Sequence, residues 1–236
     1  MGVRVKLRSK VVVGLVIGAL SVMGTSSAFA GKNNGHGNSK DANKNAAMAS
    51  QAVTCSPTNA KGHAAKAVQP PVVKRPFVNR IFTLNTNCGQ IVIAADGKSA
   101  PLTVLAMTAL AKGGFFDQSL CHRLTTSGLY VLQCGDPTAT GSGGPAFSYP
   151  DENLPQYAQN DYPAGIVAMA NSGANTNGSQ FFLVYQDTTL PPSYTRWGVI
   201  TKGLNILKTI AAAGVVGGGT DGTPNQAIAI NSISVR

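Results

Sequence analysis

Between Gly165 and Tyr185 the chain reads GIVAMANSGANTNGSQFFLVY, and this stretch restricts the fold more than any other. Ile166 to Ala170 is a short apolar run, Asn171 to Ser179 is polar and rich in Gly and side-chain amides, and Phe181 to Val184 is apolar again. Apolar runs this short, separated by residues that turn the chain, predict two strands and a connection. The amides of the connection can also hydrogen-bond an extended backbone, so the loop is a candidate ledge for a peptide as well as a turn.

The same reading extends in both directions. Pro70-Pro71 and Pro76 mark a boundary, after which Arg80 to Thr86 and Gln90 to Ala95 read as strands joined at Asn87-Cys88-Gly89. Pro101 opens a helix with apolar residues at Leu102, Leu105, Ala106, Ala109 and Leu110, and Gly113-Gly114 ends it. Strands follow over Leu120 to Leu124 and Leu129 to Cys134, then a Gly, Ser and Pro loop from Gly135 to Tyr149. After Val184, the pattern predicts a strand over Trp197 to Thr201, a helix over Leu204 to Ala213 and a closing strand over Ile228 to Val235. The apolar parity of that last strand changes near Asn231, which predicts a bulge there. The expected fold is mainly β: an eight-stranded antiparallel closed barrel capped by two α-helices, which buries the apolar strand faces and leaves no free edge.

The residues Met169-Ala170-Asn171 followed by Asn175-Thr176-Asn177-Gly178-Ser179-Gln180-Phe181-Phe182 form a long ungapped string. It closely resembles the most characteristic segment of the cyclophilins, which are peptidyl-prolyl cis-trans isomerases. The resemblance runs from about Arg80 to the C-terminus and implies the same barrel. His122-Arg123 resembles the family's His-Arg pair, and Asp151-Glu152-Asn153 its acidic turn. By this resemblance the catalytic residues are Arg123, His122 and Gln133. The substrate groove is formed by Tyr130, Val131, Ala170, Asn171, Gln180, Phe182, Leu190 and Tyr194.

Isomerisation needs neither nucleophile nor metal. The Xaa-Pro amide resists rotation by about 18 to 20 kcal/mol because of its partial double bond, and a catalyst must bind the twisted amide better than either planar form. An arginine fork can donate to the carbonyl oxygen and toward the prolyl nitrogen, while an apolar pocket holds the ring. No cofactor is expected. The sequence departs from the family pattern in three places. The span from Arg123 to Gln133 is two residues longer than usual, which enlarges the turn within Leu124 to Tyr130; Tyr130-Val131 stand at the family's Phe-Met pair; and Leu190 and Tyr194 replace a Trp and a His of the pocket wall. Losing the indole donor at Leu190 predicts weak cyclosporin binding with activity retained. The expected partners are proline-containing unfolded or partly folded polypeptides, met by a monomeric domain. A proline-peptide binding module with little turnover is the alternative.

Charge and composition set the rest. Met1 to Lys10 carries four basic residues and no acid, Val11 to Met23 is almost wholly apolar, and Ala28-Phe29-Ala30 offers a cleavage site. This reads as a signal peptide over 1–30, and the apolar run falls short of the roughly 20 residues that cross a bilayer. A secreted or extracytoplasmic location follows. Residues 31–75 hold seven basic residues against Asp41, with few aliphatics beyond Ala, and read as a disordered basic tether. From Pro76 to Arg236, the expected isomerase domain, eight basic residues face eight acidic ones. The formal charge of +10 therefore lies outside the domain, which has no surplus for nucleic acid. Cys55, Cys88, Cys121 and Cys134 allow three disulfide pairings in an exported chain. A Cys121–Cys134 bridge would staple the enlarged turn if those strands adjoin, and Cys55 in the tail could be left over. A zinc site from Cys88, Cys121, His122 and Cys134 has no CxxC pair to support it.

Overall fold

A computed structural model describes residues 52–73 and 75–236. The expected signal peptide and the first part of the expected tether lie outside the described residues. The strands are β1 (Arg80–Thr86), β2 (Gly89–Ala95), β3 (Ser119–Leu120), β4 (Arg123–Thr125), β5 (Val131–Cys134), β6 (Ile166–Met169), β7 (Phe181–Val184), β8 (Arg196–Lys202), β9 (Asp221–Gly222) and β10 (Ala229–Val235). Two helices accompany them, α1 (Pro101–Lys112) and α2 (Leu204–Ala213).

All ten strands among the described residues belong to one curled sheet in the order β3-β10-β1-β2-β8-β6-β7-β5-β4-β9. Every pairing between them is antiparallel. Eight strands and full closure were expected; the sheet has ten, and its terminal strands β3 and β9 do not pair with each other. The difference arises because the run Leu120 to Leu124 is interrupted at Cys121-His122. Its first piece pairs with β10 and its second with β5 and β9. The bulge expected near Asn231 is present: Asn85 faces Ser232 and Thr86 faces Ile230, leaving Asn231 unpaired.

Strand alternation builds the interior. Leu132, Cys134, Phe181, Leu183, Val167 and Met169 point to one face and join Phe82, Leu84, Ile91 and Ile93 in the main core. Trp197 is its central aromatic, packed edge-on against Phe82 at 5.3 Å and Phe181 at 6.0 Å between ring centroids. Helix α1 starts at Pro101, whose missing N–H costs nothing there. The Glu152 carboxylate accepts the next two N–H groups, from Leu102 at 3.0 Å and Thr103 at 2.9 Å. The face it buries is Thr103, Val104, Ala106, Met107, Leu110 and Ala111. Ala106 and Leu110 were expected on it, but Leu102, Leu105 and Ala109 are only half-buried, because the helix is apolar on most sides and its period does not fix its phase. Ile206, Leu207 and Ile210 bury one face of α2.

The tether expected over 31–75 requires correction in its described part. Cys55 is bonded to Cys88, so it is not left over, and the second bridge joins Cys121 to Cys134. Val53, Cys55, Ala65 and Val68 pack on the main core. The His63 backbone N–H donates to the Pro137 carbonyl at 2.9 Å, and Lys66 pairs with Asp117 at 3.4 Å. Scattered small aliphatics therefore suffice to lay this segment on the domain once a disulfide holds one end.

Candidate functional site

The alternation that fills the core also leaves a second face. On β5, β6 and β7 the residues between the core positions are Val131, Gln133, Ala168, Phe182 and Val184. Register sets them side by side: Arg123 faces Gln133, Gln133 faces Phe182, and Phe182 faces Ala168. A row of residues far apart in sequence thus crosses four strands.

Val131, Ala168, Phe182 and Val184 form a smaller apolar cluster with Tyr162, flanked by Leu129, Ala170, Leu190 and Tyr194. Phe182 lies 5.6 Å from Tyr194 and 6.0 Å from Tyr162 between ring centroids. The Tyr162 hydroxyl donates to the Tyr194 carbonyl at 3.0 Å and accepts the Tyr194 N–H at 3.1 Å. Burial raises the pKa of that hydroxyl to about 12, so it stays protonated and can serve as donor. Over this cluster opens a hollow of about 150 Å³ lined by Arg123, Leu129, Val131, Gln133, Ala170, Asn171, Phe182, Leu190 and Tyr194.

A single polar chain runs along the rim. Arg123 donates from Nη1 to Gln133 Oε1 at 3.2 Å, and Gln133 donates from Nε2 to Gln180 Oε1 at 2.8 Å. Gln180 in turn donates to the carbonyls of Gly141 and Gly143, both at 2.9 Å. Asp221 grips the other side of the guanidinium, accepting from Nε and Nη2 at 2.7 Å each. This contact raises the Arg123 pKa and lowers that of Asp221, so both remain charged at neutral pH. The result is a fixed cation on the lining of a hollow that is apolar at Leu129, Val131, Phe182 and Leu190 and polar at Gln133 and Asn171.

A family model described as cyclophilin type peptidyl-prolyl cis-trans isomerase/CLD matches residues 81–235. The chain belongs to the cyclophilin family. It is 46% identical over 187 residues to probable peptidyl-prolyl cis-trans isomerase B of Mycobacterium tuberculosis, covering 71% of this chain and 60% of that relative. Against probable peptidyl-prolyl cis-trans isomerase A of Mycobacterium bovis it is 34% identical over 184 residues, covering 70% of this chain and 96% of the relative. The chain thus spans 60% of the length of the isomerase B relative. A crystal structure of a cyclophilin type isomerase from Cryptosporidium parvum matches with a TM-score of 0.58 and 26% identity, over 67% of this chain and 98% of that one. A structure of the same protein in the presence of the dipeptide Ala-Pro matches with a TM-score of 0.57 and 26% identity, over 66% of this chain and 98% of that one.

Within this cyclophilin domain, Arg123, Val131, Gln133, Ala170, Asn171, Phe182, Leu190 and Tyr194 all line the hollow. Gln180 lines the adjoining cleft of about 500 Å³, together with Gln133, Ala170 and Asn171. Two residues do not join them. His122 lines neither cleft; its ring lies beneath Gly141, and burial lowers its pKa so that it is neutral at pH 7. Neighbours on an extended chain face opposite ways, so His122 and Arg123 cannot both point at one groove. Tyr130 has the same parity problem relative to Val131 and packs instead on Tyr185, 6.1 Å between ring centroids. Leu129 supplies the wall in its place.

Asp221, Leu129, Tyr162 and Asp136 were not foreseen from the sequence. Asp221 carried a faint signal, as the only acidic residue after Asp187. Asp136 organises the cleft wall, its carboxylate accepting from the N–H groups of Thr138, Thr140, Gly141 and Gly143 at 2.7 to 3.1 Å. Burial alone would raise its pKa, but these hydrogen bonds together with the Thr138 hydroxyl outweigh burial and lower it. Gly135 lets this loop leave β5: its φ is +91°, and a Cβ there would strike the Ser179 carbonyl.

Proposed function

We propose that this chain is a peptidyl-prolyl cis-trans isomerase that acts on exposed Xaa-Pro bonds of exported proteins. The observation that carries the reading is the permanent cation of Arg123 lining one hollow together with the apolar side chains of Phe182, Val131, Leu129 and Leu190. The hollow takes the proline ring, and the Ala170-Asn171 ledge pairs with substrate backbone. Arg123 donates toward the carbonyl oxygen and the prolyl nitrogen, whose lone pair emerges as the amide twists, so the twisted form is bound more tightly than either planar one. Gln133 orients the fork. The relative solved with Ala-Pro supports a proline-containing ligand.

Residues 1–30 act as a signal peptide, and the domain works as a monomer outside the cytoplasm. Two disulfides support an oxidising compartment. Among the described residues, no helix is long and apolar enough to cross a membrane. Leu190 at the wall supports weak cyclosporin binding.

The test is a proline-limited peptide assay on the purified chain. Wild-type protein accelerates cis-to-trans conversion, and Arg123→Ala loses about ten- to a hundred-fold in kcat/KM, as expected for removing a hydrogen bond to a charged group. Peptide binding by a wild-type chain that shows no acceleration replaces this reading with that of a binding module.

A further inference from the structure

We propose that Asp221 is a positioning residue for the reaction: it holds the Arg123 guanidinium in the orientation that presents its unused N–H groups to the hollow. The proposal rests on the isomerase reading above. A guanidinium has five N–H donors. Asp221 takes two of them, from Nε and Nη2, and Gln133 takes one from Nη1. Two are left, one on each terminal nitrogen, which is the number needed for a carbonyl oxygen and a prolyl nitrogen.

Asp221 is itself placed by backbone. It pairs with Thr125 across β4 and β9, and the Thr126 N–H donates to the Thr220 carbonyl at 2.8 Å. Arg123 and Thr125 share a face of β4, so Asp221 sits diagonal to Arg123, within reach of a long side chain. Asp221 does not line the hollow and so acts only through Arg123.

Magnitudes separate orientation from stability. The side chains are 40% and 52% exposed, so water screens the pair and its share of folding stability is small. Without Asp221, however, Arg123 would keep one neutral partner, Gln133 at 3.2 Å, and a long half-exposed side chain so held swings toward solvent. Misplacement by about 1 Å can cost up to a hundred-fold in rate. Removing the carboxylate therefore lowers turnover far more than it lowers stability.

The experiment compares the full chain with Asp221→Asn and Asp221→Glu, reading kcat and KM separately, the melting temperature, and solvent exchange of the Arg123 Nε–H by NMR. The expected result for Asp221→Asn is a kcat about ten-fold lower, an unchanged melting temperature and faster Nε–H exchange. Asp221→Glu recovers part of each loss. Wild-type kcat in Asp221→Asn overturns the proposal, as does unchanged Nε–H protection. A fall in kcat matched by a fall in melting temperature also overturns it, since that is the mark of a purely structural role. If the wild-type chain has no turnover, the isomerase reading fails, and Nε–H exchange alone then decides whether Asp221 holds Arg123.

Discussion

His122 shows how one residue's place in a strand overrides its apparent chemistry. Its imidazole is buried beneath the Gly141 loop, and neither ring nitrogen has a hydrogen-bond partner. Desolvation holds its pKa below 6.5; nearby Arg123 pushes the same way and nearby Asp136 opposes. The unfolded chain therefore binds a proton at this site before the folded one does, and stability falls as pH drops below about 6.5. Melting temperatures taken between about pH 7 and pH 5 should decline in the wild type and decline less in His122→Gln. Equal slopes would mean that another group sets the loss in that window. The same substitution should leave isomerase activity within a few-fold, since the ring lines neither cleft. Phe182 is the contrasting case. It is 5% exposed and lines the hollow, so Phe182→Ala should cost about 3 to 5 kcal/mol in denaturant unfolding and enlarge the hollow as well.

At the level of elements, the row Arg123–Gln133–Phe182 is a consequence of register. Strands β1 and β7 and helix α2 lie at the limits expected from the sequence, and the other main elements lie within a few residues of theirs, because alternating and short apolar runs report burial directly. The run Leu120 to Leu124 reads as one strand and folds as two, β3 and β4, since nothing in five residues shows that hydrogen bonding stops at Cys121-His122. Nor was β9 foreseeable, for its two residues carry no apolar signal. The loop after β5 is read most clearly through Asp136, which is fully buried and holds the backbone whose carbonyls anchor Gln180. Asp136→Asn removes the charge and turns an amide N–H₂ toward other donors. It should lower stability by about 1.5 to 3 kcal/mol and raise KM as Gln180 loses its anchor. Because the folded pKa of Asp136 is lowered, its contribution is present above about pH 4 and disappears as pH falls through the folded value. An Asp136→Asn stability curve parallel to the wild type's below that pH would contradict this assignment.

Over the whole molecule, the segment from residue 52 to 73 belongs with the domain although the family match begins only at residue 81. Its anchor is the Cys55–Cys88 bridge, which spans 33 residues of sequence. Closing a loop of that size restricts the unfolded chain by about 3 to 4 kcal/mol. Cys55→Ser with Cys88→Ser should therefore unfold at lower denaturant by that amount while keeping its kcat, since neither cysteine lines the hollow. A variant with unchanged stability would show that the segment docks without its staple. The sequence by itself determined the family, the mainly β class and most of the residues that line the hollow, because an ungapped motif and strand-length apolar runs are local signals that survive without any partner. Only the tertiary structure decided which neighbour of each pair faces the groove, which cysteines meet, and that a lone aspartate near the C-terminus closes on Arg123. Those are relations between segments distant in the chain, set by register and by the curl of the sheet, and no local pattern encodes them.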